Sequence, residues 1–258
     1  MPRVRGPLAA SCPPRVLGWL GDAEPGPLRV LHRGETAVYA ELLVGRERRC
    51  VGVVASTAVA VPCALRLAAP TLPGGWVAEV DLVGGRLRLD GRPVEIGRLV
   101  DPTVPALPGA APAAGPVHPP SAELAAFPDP VDAAAVTALV GSGSGLTPLG
   151  DDLLCGWLGW HRAAGVATPD LDAAVRAALG RTTLLSATLL ECALAGGVVP
   201  EFAAWLRAVG APDDEAATTA LRRLGHTSGT GLWYGAQRAR RALTLRRTHP
   251  PSRQRVLA

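Results

Sequence analysis

A chain of 258 residues, 48% hydrophobic but only 4% aromatic, can bury one large core or two modest ones built mainly from Ala, Val and Leu, with no need of disulfide or metal staples. Its five cysteines (Cys12, Cys50, Cys63, Cys155 and Cys192) are odd in number and lack zinc-type spacing, which argues against a disulfide-framed secreted domain and against a zinc module. The formal charge of +4 is carried by arginine alone, because the sequence contains no lysine; Arg238, Arg240, Arg241, Arg246, Arg247, Arg253 and Arg255 crowd the C-terminal end without interleaved aromatics and read as a solvated helix face with a basic tail, not as a nucleic-acid surface.

Pro13 and Pro14 interrupt any apolar N-terminal segment, so no secretory signal is expected. The uncharged stretch from Val51 to Leu65 is too short to span a bilayer and contains Pro62, so a cytoplasmic protein with no membrane partner is expected. Residues 1–101 read as β-rich, with apolar runs at Leu28–Leu31, Ala37–Val44, Cys50–Val54, Trp76–Val83, Arg86–Leu89 and Val94–Val100. Gly84-Gly85 and Asp90-Gly91 separate the last three runs and tolerate positive φ, which marks hairpins and suits a small barrel or sandwich. Residues 102–120 interleave proline with Ala and Gly and read as a semi-rigid linker or wrap-around loop. Residues 121–258 read as helical, with expected helices near 130–140, 148–164, 169–179, 182–195, 200–209, 212–224 and 228–245. Pro130, Pro169, Pro200 and Pro212 are placed as first helical residues. The fold class is therefore α+β, a β-rich barrel- or sandwich-like part followed by an all-helical one.

The segment Gly141-Ser-Gly-Ser-Gly-Leu-Thr-Pro-Leu-Gly-Asp-Asp152 falls between two of these helices. Gly143 and Gly145 let the backbone approach a ligand, Ser144 adds a hydroxyl, and Thr147 is placed to cap the next helix with Pro148 at its first position. Amides at such a helix start attract a phosphate or carboxylate. A capped helix–helix turn would have the same composition. Without lysine the loop is not a Walker A motif, and a helix before it argues against a dinucleotide fingerprint. Asp151 and Asp152 are candidates for a base, for Mg²⁺ ligands, or for holding the loop amides or Arg181. One acidic residue there is ordinary compensation of the helix dipole, and so is a structural role for both.

Two further segments carry polar groups. In Arg181-Thr-Thr-Leu-Leu-Ser186, Thr182 and Ser186 share a helix face, Thr183 lies beside them, and Arg181 offers a fork for an oxyanion; Thr182 would serve equally as a cap. In Gly225-His-Thr-Ser-Gly229, His226 is placed at a loop mouth where it would move a proton, with Thr227, Ser228 and Gly229 close to a ligand; a structural histidine in a turn fits the same pattern. Trp157, Trp160, Trp205 and Trp233 read as core.

In this order the three segments resemble the AllH-type family, which includes a subunit of bacterial oxamate carbamoyltransferase, an enzyme of allantoin breakdown. The resemblance covers the helical half and extends into the β half through Val83-Gly-Gly-Arg-Leu-Arg-Leu89 and Asp101-Pro102; Ser144 stands where many relatives have proline. It implies interconversion of oxalurate and phosphate with oxamate and carbamoyl phosphate, in company with partner subunits, with no cofactor required. Three functions follow. A carbamoyltransferase-type subunit would grip the oxyanion with Gly143, Ser144, Gly145, Thr147 and Arg181, and use Asp151, Asp152 and His226 as catalytic groups. A hydrolase would bind Mg²⁺ through Asp151, Asp152 and Thr147. A binding or assembly subunit would leave the chemistry to a partner, or to a homo-oligomer.

Overall fold

The computed structural model describes residues 6–107 and 117–248, with side chains described as far as Leu245. Pro108, Pro112 and Pro116 of the expected linker, His249, Arg253, Arg255 and the side chains of Arg246 and Arg247 lie outside the described residues.

The first half is β1 (Leu8–Cys12), α1 (Pro14–Asp22), β2 (Gly26–Pro27), β3 (Val30–Arg33), β4 (Ala37–Val44), β5 (Glu47–Val54), β6 (Ala64–Leu67), β7 (Val80–Val83), β8 (Arg86–Leu89) and β9 (Arg92–Leu99). These form one nine-stranded sheet in the order β2-β7-β8-β9-β1-β6-β5-β4-β3. The sheet is curled. Helix α1 packs on both β4 and β8, which stand five places apart in that order and, at ~4.8 Å per strand, would be about 24 Å apart if the sheet were flat. The curl also lets the segment after β2 reach both edges: Leu28 N–H donates to Val80 O (2.8 Å), while Arg29 O accepts from Glu41 N–H (2.8 Å). Val16, Trp19 and Leu20 of α1 fill the concave side with Leu42, Leu65, Leu82, Leu87 and Leu89. Both expected hairpins form, with Gly84 and Gly85 at φ 56° and 72° and Asp90 and Gly91 at 49° and 74°. The architecture is thus α+β with a single curled sheet, not two stacked ones.

The second half contains α2 (Ala122–Ala125), α3 (Val136–Leu139), α4 (Leu149–Ala163), α5 (Pro169–Ala178), α6 (Leu184–Leu194), α7 (Pro200–Ala208), α8 (Asp214–Arg222) and α9 (Ser228–Thr248). Three expectations need correction. The helix expected over 130–140 is only the single turn of α3, and Pro130 follows a cis peptide outside it. Pro212 precedes α8, whose N-cap is Asp213. Arg238, read as part of a solvated face, is buried: it pairs with Asp129 (3.0 Å) and donates to Pro128 O, and Arg240 lies over the Trp160 ring at 5.8 Å.

Helix α4 is buried almost all round, as its apolar circumference requires. Its main neighbour is α9, and glycines set their separation. A methyl group on Gly156 would lie 1.9 Å from Leu232 O, and one on Gly235 would lie 1.9 Å from Leu153 O, so the two backbones touch at both points. Helix α6 joins the halves: Leu190, Ala193 and Leu194 face the helical core while Leu185 and Cys192 enter the sheet core. Thr188 Oγ1 accepts from Cys50 N–H (2.9 Å), and Arg49 pairs with Glu191. The chain leaving β9 is tied to the turn after α6 by Val104 N–H to Gly196 O (2.7 Å) and Val198 N–H to Pro102 O (2.9 Å).

Gly156→Ala or Gly235→Ala must force α4 and α9 apart and should cost ~1–3 kcal/mol or more in thermal denaturation. Gly18→Ala in α1, where the added methyl meets nothing within 4 Å, should be neutral or stabilising. Equal melting temperatures for the three variants would contradict the packing described.

Candidate functional site

Adjacent Asp151 and Asp152 diverge by one helical step and do different work. Asp151 is fully buried and faces the start of α6. Its Oδ1 accepts from Gly141 N–H (2.9 Å), and its Oδ2 accepts from Thr182 Oγ1 (2.5 Å) and Ser186 Oγ (2.7 Å). Thr182 lies before α6 in extended backbone, so the two do not share a helix face as expected, yet both hydroxyls reach the same oxygen. Gly141 is at φ 77°, and a methyl group there would lie 2.4 Å from Arg181 O, so only glycine lets the loop sit this close. Thr183, not Thr182, caps α6 by accepting from Ser186 N–H (3.1 Å), and its hydroxyl donates to Leu146 O (2.6 Å). Asp151 with Thr182, Thr183 and Ser186 therefore fastens the glycine-rich loop to α6.

The start of α4 differs from the sequence expectation. Pro148 is the N-cap and Thr147 makes no capping bond. Thr147 Oγ1 instead hydrogen-bonds to Ser228 Oγ (2.9 Å), joining segments 81 residues apart at the adjoining starts of α4 and α9. The first amides of α4 are already used: Gly150 N–H donates to Ser142 O (2.9 Å), and Asp151 and Asp152 N–H donate to Pro148 O (3.0 and 3.2 Å). A helix start with its donors spent is a weak oxyanion grip, and two carboxyls in the first turn weaken it further.

Asp152 points the other way. It is 6% exposed and lines a cavity of about 220 Å³ between the sheet and the helices. Thr147, Cys155 and Ser228 line it from the helical side, and Tyr39, Val61 and Pro62 from the β half. Apolar side chains of α6 and α9, such as Leu185, Leu189 and Leu232, complete the wall. No arginine or histidine is among the lining residues. Burial raises the Asp152 carboxyl from its ordinary 3.8 to about 8; the nearby Asp151 pushes the same way, and hydrogen bonds from Ser228 and Thr147 oppose the rise. Its Oδ2 has no hydrogen-bond partner. Burial, helped by the Asp152 and Asp151 carboxyls, holds the Cys155 thiol well above its ordinary range, so it is no ready thiolate. Burial likewise keeps Tyr39 a neutral phenol.

Of the residues singled out in the sequence, Thr147, Asp152 and Ser228 line this cavity, while Asp151, Thr182, Thr183 and Ser186 brace the loop beside it. Gly143, Ser144 and Gly145 are exposed and stand outside the lining, as do Arg181, His226 and Thr227. Gly229 serves packing, since a methyl group there would lie 2.0 Å from Leu221 O of α8. Sequence reasoning passed over Tyr39, Val61, Pro62 and Cys155. Only Cys155, one turn after Asp151 on α4, carried a local signal. A Mg²⁺ site on the Asp pair fits poorly, because both Asp151 oxygens are engaged; among the described residues no group of three or more His, Cys, Asp or Glu could hold a metal ion.

Residues 139–239 match the protein family AllH, described as oxamate carbamoyltransferase subunit AllH. The matched stretch runs from the end of α3 into α9, and so includes Thr147, Asp151, Asp152, Cys155 and Ser228 together with the α4–α9 contact. No curated protein and no solved structure matches the chain. No helix among the described residues is long and apolar enough to cross a membrane.

The carboxyl of Asp152 ionises near its ordinary value in the unfolded chain but only near pH 8 in the fold, so its contribution to stability is fully present at low pH and is lost as the pH rises toward 8. Between about pH 5 and about pH 8 the melting temperature of the wild type should therefore fall more than that of Asp152→Asn, which cannot ionise. Parallel pH profiles would show that Asp152 is ionised in the folded protein throughout.

Proposed function

We propose that this chain is the subunit of a carbamoyl-transferring enzyme that holds the amide or carbamoyl end of a small substrate, in the cavity beside Asp152. The observation that carries the proposal is a buried carboxyl, that of Asp152, on the lining of an otherwise mainly apolar cavity, with its Oδ2 left without a protein partner, within the segment that matches AllH. An uncharged amide or ureido group suits such a place: it can donate an N–H to the unpaired carboxyl oxygen or accept a hydrogen bond from it when it is protonated. Thr147 and Ser228 line the same cavity and hydrogen-bond to each other beside the carboxyl (2.9 Å).

In transfer from carbamoyl phosphate to oxamate, the amide nitrogen of oxamate forms the new C–N bond. The C–O bond to phosphate breaks, and one proton must leave the nitrogen. A carboxyl that titrates near neutral pH is suited to that proton, accepting it when ionised and returning it to the departing phosphate or to water. Cys155 is not needed as a nucleophile, since positioning and charge stabilisation suffice for this displacement. The charges of oxamate and of phosphate need cations, and none lines the cavity. Those groups must be neutralised from outside it, which favours action with companion subunits.

The test is a thermal-shift and calorimetric titration with oxamate, oxalurate and carbamoyl phosphate, with and without Mg²⁺. Oxamate or oxalurate should stabilise the wild type. Asp152→Asn or Ser228→Ala should weaken that effect about tenfold, the worth of one charged or buried hydrogen bond. His226→Ala and Mg²⁺ should leave it unchanged. Binding that survives Asp152→Asn intact, or that requires Mg²⁺, would contradict the proposal.

A further inference from the structure

A second cleft, of about 270 Å³, opens where the outer face of the sheet meets α7, and three arginines line it: Arg66 of β6, Arg98 of β9 and Arg207 of α7. We propose that this cleft is an anion site for a phosphate dianion, free or at the end of a small metabolite.

Strand register makes the arrangement. Ser11 of β1 stands opposite Arg66 on one side and opposite Arg98 on the other. Residues that face each other across neighbouring strands project from the same side of a sheet, so Arg66, Ser11 and Arg98 form a row. Leu8, Ala10 and Cys12 point into the core, which puts Ser11 and this row on the outer face. At ~4.8 Å per strand, the two arginine backbones are about 10 Å apart, with a hydroxyl between them.

The row depends on an irregularity. Ala10 pairs with Ile96, but Ser11 pairs with Arg98, so β9 bulges at Gly97. If the register ran on unbroken from Ile96, Gly97 would stand opposite Ser11 and Arg98 would face the other side of the sheet. A bulge that re-aims a side chain is a device found beside functional sites.

The charges are uncompensated. Among the described residues neither Arg98 nor Arg207 forms an ion pair, and Arg66 gives one amino group to Ser56 O (2.5 Å) and forms none. The one carboxylate among the described lining residues, Asp101, accepts from Thr103 N–H (2.9 Å); hydrogen bonding from the Thr103 hydroxyl and amide holds its pKa below the usual carboxylate range. Two net positive charges remain, and a phosphate dianion balances them. Arginine's planar fork suits phosphate, and the Ser11 hydroxyl adds a donor midway. The cleft and the Asp152 cavity share Val61, Pro62 and Val198 as wall but no charged residue, so each can fail without the other.

The experiment is calorimetric titration of the full chain with inorganic phosphate, and separately with glycerol 3-phosphate, at constant ionic strength in chloride. One or both should bind. Arg98→Ala and Arg207→Ala, at exposed positions, should each weaken binding about tenfold or more. Arg46→Ala, which removes the same charge from the exposed turn between β4 and β5, should leave it within about twofold. Ser11→Ala should weaken it by a smaller factor. Equal losses in Arg46→Ala and Arg98→Ala would mean diffuse attraction to a basic surface and would overturn the proposal, as would unchanged affinity in both arginine variants or no binding of either probe.

Discussion

Gly156 lies against the carbonyl of Leu232, and Gly235 lies against the carbonyl of Leu153. With these two contacts α4 and α9 meet backbone to backbone, closer than helices separated by ordinary side chains. The rest of the site is a consequence. The shared approach brings the starts of the two helices side by side, so that Thr147 reaches Ser228 across 81 residues of sequence. It also leaves Asp152 facing Gly231, where a methyl group would come within 2.9 Å of the Asp152 Cβ. A carboxyl placed there is sealed from water on the helix side and meets the cavity on the other.

The pair of acidic residues shows how one helical step separates structure from chemistry. Asp151 gives both oxygens to donors on the loop and on α6 and so stabilises the arrangement. Asp152 keeps one oxygen unpaired, which costs stability. The same division applies to charge. Among the described residues no cation lines the Asp152 cavity, whereas three arginines line the neighbouring cleft, two on the outer face of the sheet and one on α7.

Local chemistry was legible in the sequence; long-range packing was not. Gly84-Gly85 and Asp90-Gly91 announced hairpins because positive φ is a local demand, and Pro169 announced the start of α5 because its fixed φ suits a first helical residue. β1 and β6 were missed because they pair with each other and with β9 and β5 rather than through adjacent turns. The glycine-rich loop and the Asp pair stood out as a motif, but the motif suggested an exposed oxyanion grip, and the buried carboxyl became visible only once α9 and the sheet were in place. Gly156 and Gly235 carry no local signal in the sequence, since only the facing backbone explains them. Tyr39, Val61 and Pro62 reach the cavity from the β half, and no spacing rule connects them with α4.

The convergence of the two helix starts can be measured directly by replacing Thr147 and Ser228 together with cysteine. Their hydroxyl oxygens are 2.9 Å apart, which places the two Cβ atoms near the ~3.5–4.5 Å span of a disulfide. Mild oxidation followed by peptide mapping in a mass spectrometer should find the two introduced cysteines joined in most molecules, with the fold retained. Absence of that cross-link, with the introduced thiols free or joined instead to native cysteines, would mean that the two segments do not meet, and the cavity described around Asp152 would not exist.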